Sequence, residues 1–202
     1  MLEILISKND NNNEIALLEN GKLVEYYTDE ENSSRKEGNI YIGIIKDIIK
    51  GMQSAFIDIG TEKNSFIHLK DLLPKIDESK EKYEENVDIK DIIKPGQKVL
   101  VQVKKDSNFQ KGARVSTHIN LPSKYIVLMP NTNIVTTSQK IEDKKEQERL
   151  IKLVRENISE GNGAVIRTSA IGKNQEIVED IKNIETKWNK INENLKKNKE
   201  NK

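Results

Sequence analysis

The chain has 202 residues, of which 33% are charged and 4% aromatic, so its cores have to be built mainly from Ile, Leu and Val. It contains no cysteine, which excludes disulfides and thiolate metal sites. No apolar run approaches the roughly 20 residues of a membrane span, and the amino terminus lacks a signal-peptide pattern. We therefore expect a cytoplasmic protein with no membrane partner.

The net charge of +1 hides an uneven distribution of charge along the chain. Residues 1–37 hold nine Asp or Glu against four Lys or Arg, whereas residues 97–128 hold six Lys or Arg against one Asp. A locally basic surface matters more for binding a polyanion than the total charge does. The second of these segments is therefore the place to look for a nucleic-acid contact.

Residues 1–30 predict a strand, a polar loop and a hairpin. The hairpin signal is Asn20-Gly21 between two apolar runs, which is typical of a type I′ turn. Read alone, this segment is the edge hairpin of a β-rich domain. The polar, turn-rich residues 30–38 that follow predict a linker.

Three short apolar runs at residues 40–45, 54–59 and 65–68 predict an antiparallel meander. In the second run the period of a strand puts Ala55, Ile57 and Ile59 on one face. Phe56 and Asp58 fall on the other face. We therefore expect Phe56 to be exposed, where an aromatic ring is a candidate platform for stacking a base.

The next 45 residues continue the predicted barrel. Residues 74–97 read as a charged excursion that ends in a short helical turn before Pro95-Gly96. Residues 98–105 alternate well enough to form a strand, and residues 113–119 form the last one. Between them lies a loop with Phe109 and Lys111 at its tip.

A second region begins at Leu121. Its apolar run at residues 125–129 predicts a buried strand, and residues 132–140 predict a variable loop. A helix should follow, with Asp143 and Glu146 as a capping box and with Gly161 and Gly163 as its terminators. Residues 164–168 predict another strand, which brings Arg167 and Thr168 side by side at its end.

The last segment predicts a long helix with an apolar seam, formed by Ile177, Ile181, Ile184, Trp188, Ile191 and Leu195. Packing of this helix on the preceding sheet is the favoured interpretation, and a docking surface for a partner helix is the alternative. The charged residues 197–202 predict a disordered tail.

Four blocks of this sequence resemble the ribonuclease E/G family. The first is residues 38–73, where GNIY-G, A-F-D-G and F-H occur in the family's order, and the others are KGARVSTHINLPSKYIVLMPN, TSQKIED and VIRTSA. The ribonuclease G branch fits best. The resemblance implies an α+β fold with three parts. Residues 1–37 would be strands of a ribonuclease-H-like subdomain, residues 38–118 an S1-type OB-fold β-barrel that binds RNA, and residues 119–196 a small α+β 5′-sensor domain.

The resemblance also implies two sets of site residues. On the barrel these would bind RNA: Phe56, Phe66, Lys105 and Lys111. In the second region a pocket for the 5′-monophosphate would consist of Arg167 and Thr168, with backbone at Val127 and Ser123. Gln139 and Lys140 depart from the family, which commonly has two arginines there. From the residues alone, Phe66 could instead belong to the barrel core, and Arg167 could be an ordinary strand-end arginine in an ion pair.

No catalytic constellation is recognisable by spacing, and we expect no catalytic residue, metal or cofactor in this chain. By resemblance the catalytic Asp pair, with its Mg²⁺, and a zinc-binding Cys pair belong to a later DNase-I-like region. The first hypothesis is therefore the RNA-binding and 5′-sensing portion of an endoribonuclease that acts on single-stranded, 5′-monophosphorylated RNA. This portion would be a monomer and inactive alone. The alternatives are a free-standing, non-catalytic S1-domain RNA-binding protein and an interaction protein that dimerises through the C-terminal seam.

Overall fold

The computed structural model describes residues 1–8, 12–30, 35–72, 87–107 and 110–200. These residues form two compact units, Met1–Lys36 and Glu37–Lys202. The charged excursion between residues 73 and 86, Phe109 and linker residues 31–34 lie outside the described residues.

The first unit is a three-stranded antiparallel sheet in the order β1-β2-β3. Its strands are β1 (Leu2–Lys8), β2 (Asn12–Glu19) and β3 (Lys22–Glu30). The turn between β2 and β3 has a φ of 51° at Asn20 and 74° at Gly21, as a type I′ turn requires, so the predicted hairpin is confirmed. Apolar side chains on both faces of this sheet are exposed, among them Leu2, Ile4, Leu5, Ile6, Leu23, Val24, Tyr26 and Tyr27.

The second unit begins with a closed five-stranded barrel in the order β4-β5-β6-β8-β7. The strands are β4 (Ile40–Ile49), β5 (Ser54–Asp58), β6 (Ser65–His68), β7 (Lys98–Lys105) and β8 (Arg114–Ser116). Two short helices accompany them, α1 (Leu69–Leu72) and α2 (Ile89–Ile92). The three runs predicted as a meander are β4, β5 and β6, and the OB-like barrel is confirmed.

Period-two alternation builds the barrel core. Ala55 and Ile57 of β5 and Val101 and Val103 of β7 are buried inside it, and Ile89 closes it from α2. Phe56, which lies between two buried residues of β5, points outward and is 37% exposed. The predicted exposure of Phe56 is therefore confirmed.

Residues 119–200, called the α/β subdomain below, form a four-stranded sheet in the order β11-β12-β10-β9 with two helices. The strands are β9 (Leu121–Pro122), β10 (Ile126–Pro130), β11 (Val135–Thr137) and β12 (Asn162–Ile166). The helices are α3 (Lys144–Asn157) and α4 (Gln175–Glu200). Both helices pack on one face of the sheet and share a single core.

The predicted seam of α4 lies mainly in this core. Ile177, Ile181, Ile184 and Trp188 are at most 5% exposed, so the favoured interpretation of a helix packed on the sheet is confirmed. The helix continues to Glu200, and the predicted disorder of residues 197–202 stays a prediction.

Two local predictions in the α/β subdomain are wrong. The loop at residues 132–140 contains β11, which pairs in parallel with β12. Gly161 and Gly163 do not terminate α3, because the helix ends earlier, at Asn157. Gly163 instead lies within β12, close to the backbone of Ile134. A Cβ added to Gly163 would stand 2.3 Å from the Ile134 carbonyl oxygen.

The barrel and the α/β subdomain are joined through one face of β4 and β7. Ile40 and Leu100 pack against the subdomain core. Gln102, which is only 4% exposed, donates from Nε2 to the Gly38 and Asn120 carbonyls at 3.0 and 2.9 Å. Its Oε1 accepts from the Asn120 N–H at 2.9 Å, so one buried amide fixes the connection between the two parts.

No helix in the part of the chain that the structure describes is both long enough and apolar enough to cross a lipid bilayer.

Candidate functional site

Four side chains form a continuous row across the outer face of the barrel. Phe56 on β5 pairs with Phe66 on β6, and Phe66 pairs with Arg114 on β8. Arg114 in turn pairs with Lys105 on β7. Directly paired residues on neighbouring strands project from the same face. The row therefore places two rings and two cations next to one another over four strands.

The two rings of the row are in contact. The centroids of Phe56 and Phe66 are 6.3 Å apart and their planes meet at 69°, an edge-to-face arrangement. Phe66 is half-buried on the outer face, while its neighbours Ser65 and Ile67 point into the barrel. The alternative in which Phe66 fills the barrel core is therefore wrong.

Beside the rings, Asp58 is tied to its own turn. Its carboxylate accepts from the Gly60 N–H at 2.9 Å and lies 3.1 Å from the Lys46 ammonium. The bond from the Gly60 N–H, with that from Lys46, lowers the pKa of Asp58 below its ordinary value. This carboxylate therefore stays ionised, with Lys46 offsetting its charge next to a face that would bind an anion.

Lys111 is exposed in the loop that leads into β8. The loop is held against β6, because the Phe66 N–H donates to the Ala113 carbonyl at 2.8 Å. Gly112 permits this approach: an added Cβ would stand 1.9 Å from the Asn64 carbonyl oxygen. A glycine after Lys111 thus brings this lysine close to the strand that carries Phe66.

Arg114 is the residue of the row that was not predicted from the sequence. Its Nε and Nη2 donate to the Asp71 carboxylate at 3.2 and 2.9 Å, and its side chain is 57% exposed. The ion pair orients the guanidinium beside Phe66 without burying it. The sequence indicated this role only weakly, because an arginine after Gly-Ala has no distinguishing pattern. Only the pairing of β8 with its neighbouring strands shows that Arg114 belongs to the row.

A cleft of about 340 Å³ continues from the row toward the α/β subdomain. Its lining contains three cationic side chains and one carboxylate, together with polar groups: Lys104, Lys105, Arg114, Asp71, Ser116, His118 and Asn120. Because Asp71 is already paired with Arg114, the cleft has a positive balance of charge. Such a surface favours an anionic ligand.

The predicted phosphate pocket lies at the end of β12. The Arg167 N–H donates to the Tyr125 carbonyl at 2.8 Å, and its Nη1 donates to the Ser123 carbonyl at 2.6 Å. Ser169 Oγ donates to the Lys124 carbonyl at 2.6 Å. Residues 123–125, called the 123–125 turn below, therefore have all three carbonyls bound by the segment that carries Arg167. The structure brings Arg167, Thr168 and Ser123 together, and their binding of a phosphate stays a prediction.

The surroundings of Arg167 differ from those of an ordinary ion pair. Its side chain donates to a neutral carbonyl, and the guanidinium is exposed. A guanidinium has five N–H donors, so a single carbonyl bond orients it while using only one of them. Thr168 is also exposed and begins a 3₁₀ turn that runs to Ala170. The positive charge of Lys124 lies 5.1 Å from the centre of the Tyr125 ring in the same turn.

Val127 lies inside the sheet, paired with Val165 on β12 and with Pro122 on β9. Because the Tyr125 carbonyl faces β12, the backbone of Val127, two residues further along an antiparallel strand, faces β12 as well. The expected contribution of the Val127 backbone to the pocket stays a prediction.

Gln139 and Lys140 lie on the same edge of the sheet as Arg167. Both are exposed in the turn after β11, and the preceding Ser138 N–H donates to the Ile166 carbonyl at 2.8 Å. Ile166 is the residue before Arg167. The two positions that depart from the family are thus close to the pocket in the chain's own fold.

Behind the pocket, Glu146 and Arg149 of α3 hold the turn that leads into α4. Glu146 accepts from Arg149 at 2.7 Å and from the Gly172 N–H at 2.9 Å, and Arg149 also donates to Asn174. These bonds, first that from Arg149, lower the pKa of Glu146 from 4.5 to about 2. Asp143 accepts from the Glu146 N–H, but Glu146 does not complete the predicted capping box because its side chain is used here.

The described residues contain no group of three or more His, Asp or Glu side chains that could hold a metal ion.

Fold and geometry together define a protein with an OB-like barrel that presents an aromatic and basic face, joined to an α/β subdomain with an exposed arginine at a strand end. The family model for the ribonuclease E/G family matches residues 120–202. Ribonuclease G of Escherichia coli strain K12 is 37% identical over 199 residues, which cover 96% of this chain and 41% of that protein.

Two further relatives agree with this match. Ribonuclease G of Haemophilus influenzae is 36% identical over 200 residues, covering 97% of this chain and 41% of its own. Ribonuclease E of a Nostoc species is 37% identical over 157 residues, covering 76% of this chain and 22% of its own. The chain belongs to the ribonuclease E/G family, and it spans about two fifths of the length of the ribonuclease G relatives.

Proposed function

We propose that this chain is the RNA-binding and 5′-monophosphate-sensing portion of a ribonuclease E/G-type endoribonuclease that acts on single-stranded RNA. The observation that carries the proposal is the row of Phe56, Phe66, Arg114 and Lys105 on the outer face of the barrel. Membership of a family whose relatives are named ribonucleases supports RNA as the ligand.

The row combines the two interactions that bind single strands without reading their sequence. Unpaired bases stack on aromatic rings, at about 1–3 kcal/mol for each base, and cations bind the phosphates between them. Because neighbouring strands are about 4.8 Å apart, four adjacent side chains span about 14 Å, which is about four steps of a stacked single strand at roughly 3.4 Å each. Lys111, in the loop beside β6, extends the cationic part of this face.

The pocket at Arg167 suits a terminal phosphate. A monophosphate ester carries about −1.5 to −2 charges at neutral pH and offers three acceptor oxygens. Arg167 can give it two parallel hydrogen bonds and Thr168 a third from its hydroxyl. A 5′-hydroxyl end has neither the charge nor the acceptors, so the pocket would distinguish the two ends.

Cleavage by the whole protein remains part of the proposal. The contribution of the present residues is to hold the strand and its 5′ end.

The test is binding of a short fluorescent single-stranded RNA with a 5′-monophosphate or a 5′-hydroxyl end, at two salt concentrations. The expected result is salt-sensitive binding of both RNAs, with tighter binding of the monophosphate. Arg167→Ala should abolish that preference, and Arg155→Ala, which removes an exposed arginine from the last turn of α3, should not. Equal binding of both ends by the wild-type chain would refute the sensor, and absence of binding would refute the whole proposal.

A further inference from the structure

We propose that Asp180 of α4 is a positioning residue for the 5′-phosphate pocket: it holds the 123–125 turn, whose Ser123 carbonyl orients the Arg167 guanidinium. The inference rests on the proposed function, because it assigns a role within that pocket. Asp180 acts through the turn and is not itself one of the groups that would bind the phosphate.

The contacts form a short chain from α4 to the pocket. The Asp180 carboxylate accepts from the Ser123 hydroxyl through Oδ1 and from the Tyr125 N–H through Oδ2 at 2.8 Å. Ser123, in turn, accepts from Arg167 Nη1 through its carbonyl at 2.6 Å. One carboxylate therefore binds both ends of the turn that orients the arginine.

Asp180 is itself held in place by the core. It is half-buried and lies next to Ile181 and three residues after Ile177, both of which are fully buried against the sheet. A carboxylate on such a helix moves little relative to the sheet. The turn is thereby tied to the packed core of the subdomain, as a binding group with a defined geometry requires.

The sign of the charge makes the positioning role testable. A carboxylate close to an anion pocket repels the anion, so by Coulomb's law alone its removal should strengthen phosphate binding. If Asp180 acts by positioning, its removal should weaken phosphate binding, because the turn and Arg167 lose their fixed geometry. The two mechanisms predict opposite changes for one substitution.

Glu185 on the same helix provides a matched control. Its carboxylate also holds a turn, accepting from Ser159 N–H and Oγ and from Asn162 Nδ2, each at 2.9 Å. That turn connects α3 with β12 and does not contain a pocket residue. Loss of Glu185 should therefore reproduce the general effect of losing a turn-holding carboxylate without the specific effect on Arg167.

The experiment compares Asp180→Ala, Asp180→Asn and Glu185→Ala in the 202-residue chain. The readout is the ratio of the dissociation constants for 5′-hydroxyl and 5′-monophosphate RNA. Asp180→Ala should lower this preference by about threefold to tenfold, the effect of an ordinary hydrogen bond on an equilibrium. Asp180→Asn should keep most of it, since an amide can accept from Tyr125 N–H and donate to the Ser123 hydroxyl. Binding of the 5′-hydroxyl RNA and the preference of Glu185→Ala should stay as in the wild type.

A preference that is unchanged or increased in Asp180→Ala would overturn the proposal, as would an equal loss in Glu185→Ala. In an Arg167→Ala background, Asp180→Ala should have no further effect on the preference, and an additive loss would also overturn it. If Asp180→Ala does not fold, Ser123→Ala serves as the second variant, because it removes only the hydroxyl contact with Asp180. Ser123→Ala should still lower the preference for 5′-monophosphate RNA, and an unchanged preference in this variant would overturn the proposal. Failure of the proposed function looks different, because the wild-type chain would then show no preference at all.

Discussion

Replacing Phe56 with alanine removes one of the two rings of the barrel row and leaves the barrel core in place. Phe56 is 37% exposed and projects outward, while its neighbours Ala55 and Ile57 are fully buried on the inner side. Within the protein, the substitution chiefly removes the edge-to-face pair with Phe66. Such a pair contributes about 0.5–1.5 kcal/mol, so we expect a folded variant with modestly reduced stability.

The effect on RNA binding should be larger than the effect on folding. A base stacked on the ring contributes about 1–3 kcal/mol, so removing the ring should raise the dissociation constant by about fivefold to a hundredfold. Because a neutral ring contacts no phosphate, the dependence of affinity on salt should stay the same. Lys105→Ala provides the contrast, since removal of one phosphate contact lowers the salt slope by about 0.7 on a single strand.

The assay is fluorescence anisotropy of a labelled 5′-hydroxyl RNA over a series of salt concentrations, for the wild type, Phe56→Ala and Lys105→Ala. Tyr27→Ala, which removes a 57% exposed aromatic side chain from the N-terminal sheet, controls for removal of an exposed ring. Wild-type affinity in Phe56→Ala would refute the stacking role. A decrease of equal size in Tyr27→Ala would show that the effect is not specific to the barrel row.

Three further predictions concern the contacts that support these sites. Glu146→Gln should lower the free energy of unfolding by about 1–2 kcal/mol at neutral pH. Since the pKa of Glu146 in the folded protein, about 2, lies below 4.5, this stabilisation is present above pH 4.5 and is lost as the pH falls toward 2. Denaturation curves of the wild type and the variant should therefore converge in acid. Gln102→Leu should cost about 1–2 kcal/mol in thermal unfolding, because it leaves the half-buried Asn120 N–H and carbonyl without their partner. Gly163→Ala should cost about 1–3 kcal/mol, because its Cβ would stand 2.3 Å from the Ile134 carbonyl oxygen, and an unchanged melting temperature would contradict the close approach.

The barrel was predictable because its apolar runs are rich in β-branched residues and are bounded by turn residues. The runs at β5 and β6 alternate between buried and more exposed residues, and the exposure of Phe56 follows from that period. The Asn20-Gly21 turn was predictable for an equally local reason, since a type I′ turn needs a positive φ at both central residues.

What the sequence could not supply were the long-range partners. β11 is three residues long and pairs in parallel with a strand that follows an intervening helix. Its residues therefore show no local hydrophobic period that would predict a strand. Arg114 joins the row only through pairing with β6 and β7, and Asp180 meets Ser123 across 57 residues of chain. Glu146 has the spacing of a capping residue, but stronger bonds to Arg149 and Gly172 take its carboxylate.

The N-terminal sheet exposes many apolar side chains, and contacts within its own unit do not account for them. Leu2, Ile4 and Ile6 project from one face of β1 and Leu5 from the other, and all four are more than half exposed. A soluble sheet normally buries at least one of its faces. That these strands belong to a larger subdomain, as the family resemblance implies, stays a prediction.

The most direct test of the proposed function is an NMR titration of the ¹⁵N-labelled chain with a short single-stranded RNA that carries either 5′ end. We expect both RNAs to shift the amide signals of β5, β6 and β8, which carry the barrel row. Only the 5′-monophosphate RNA should also shift those of the 123–125 turn and of residues 167–169. Shifts confined to α4 or to the N-terminal sheet, or identical shifts near Arg167 with both RNAs, would contradict a barrel that binds the strand and a separate pocket that recognises its end.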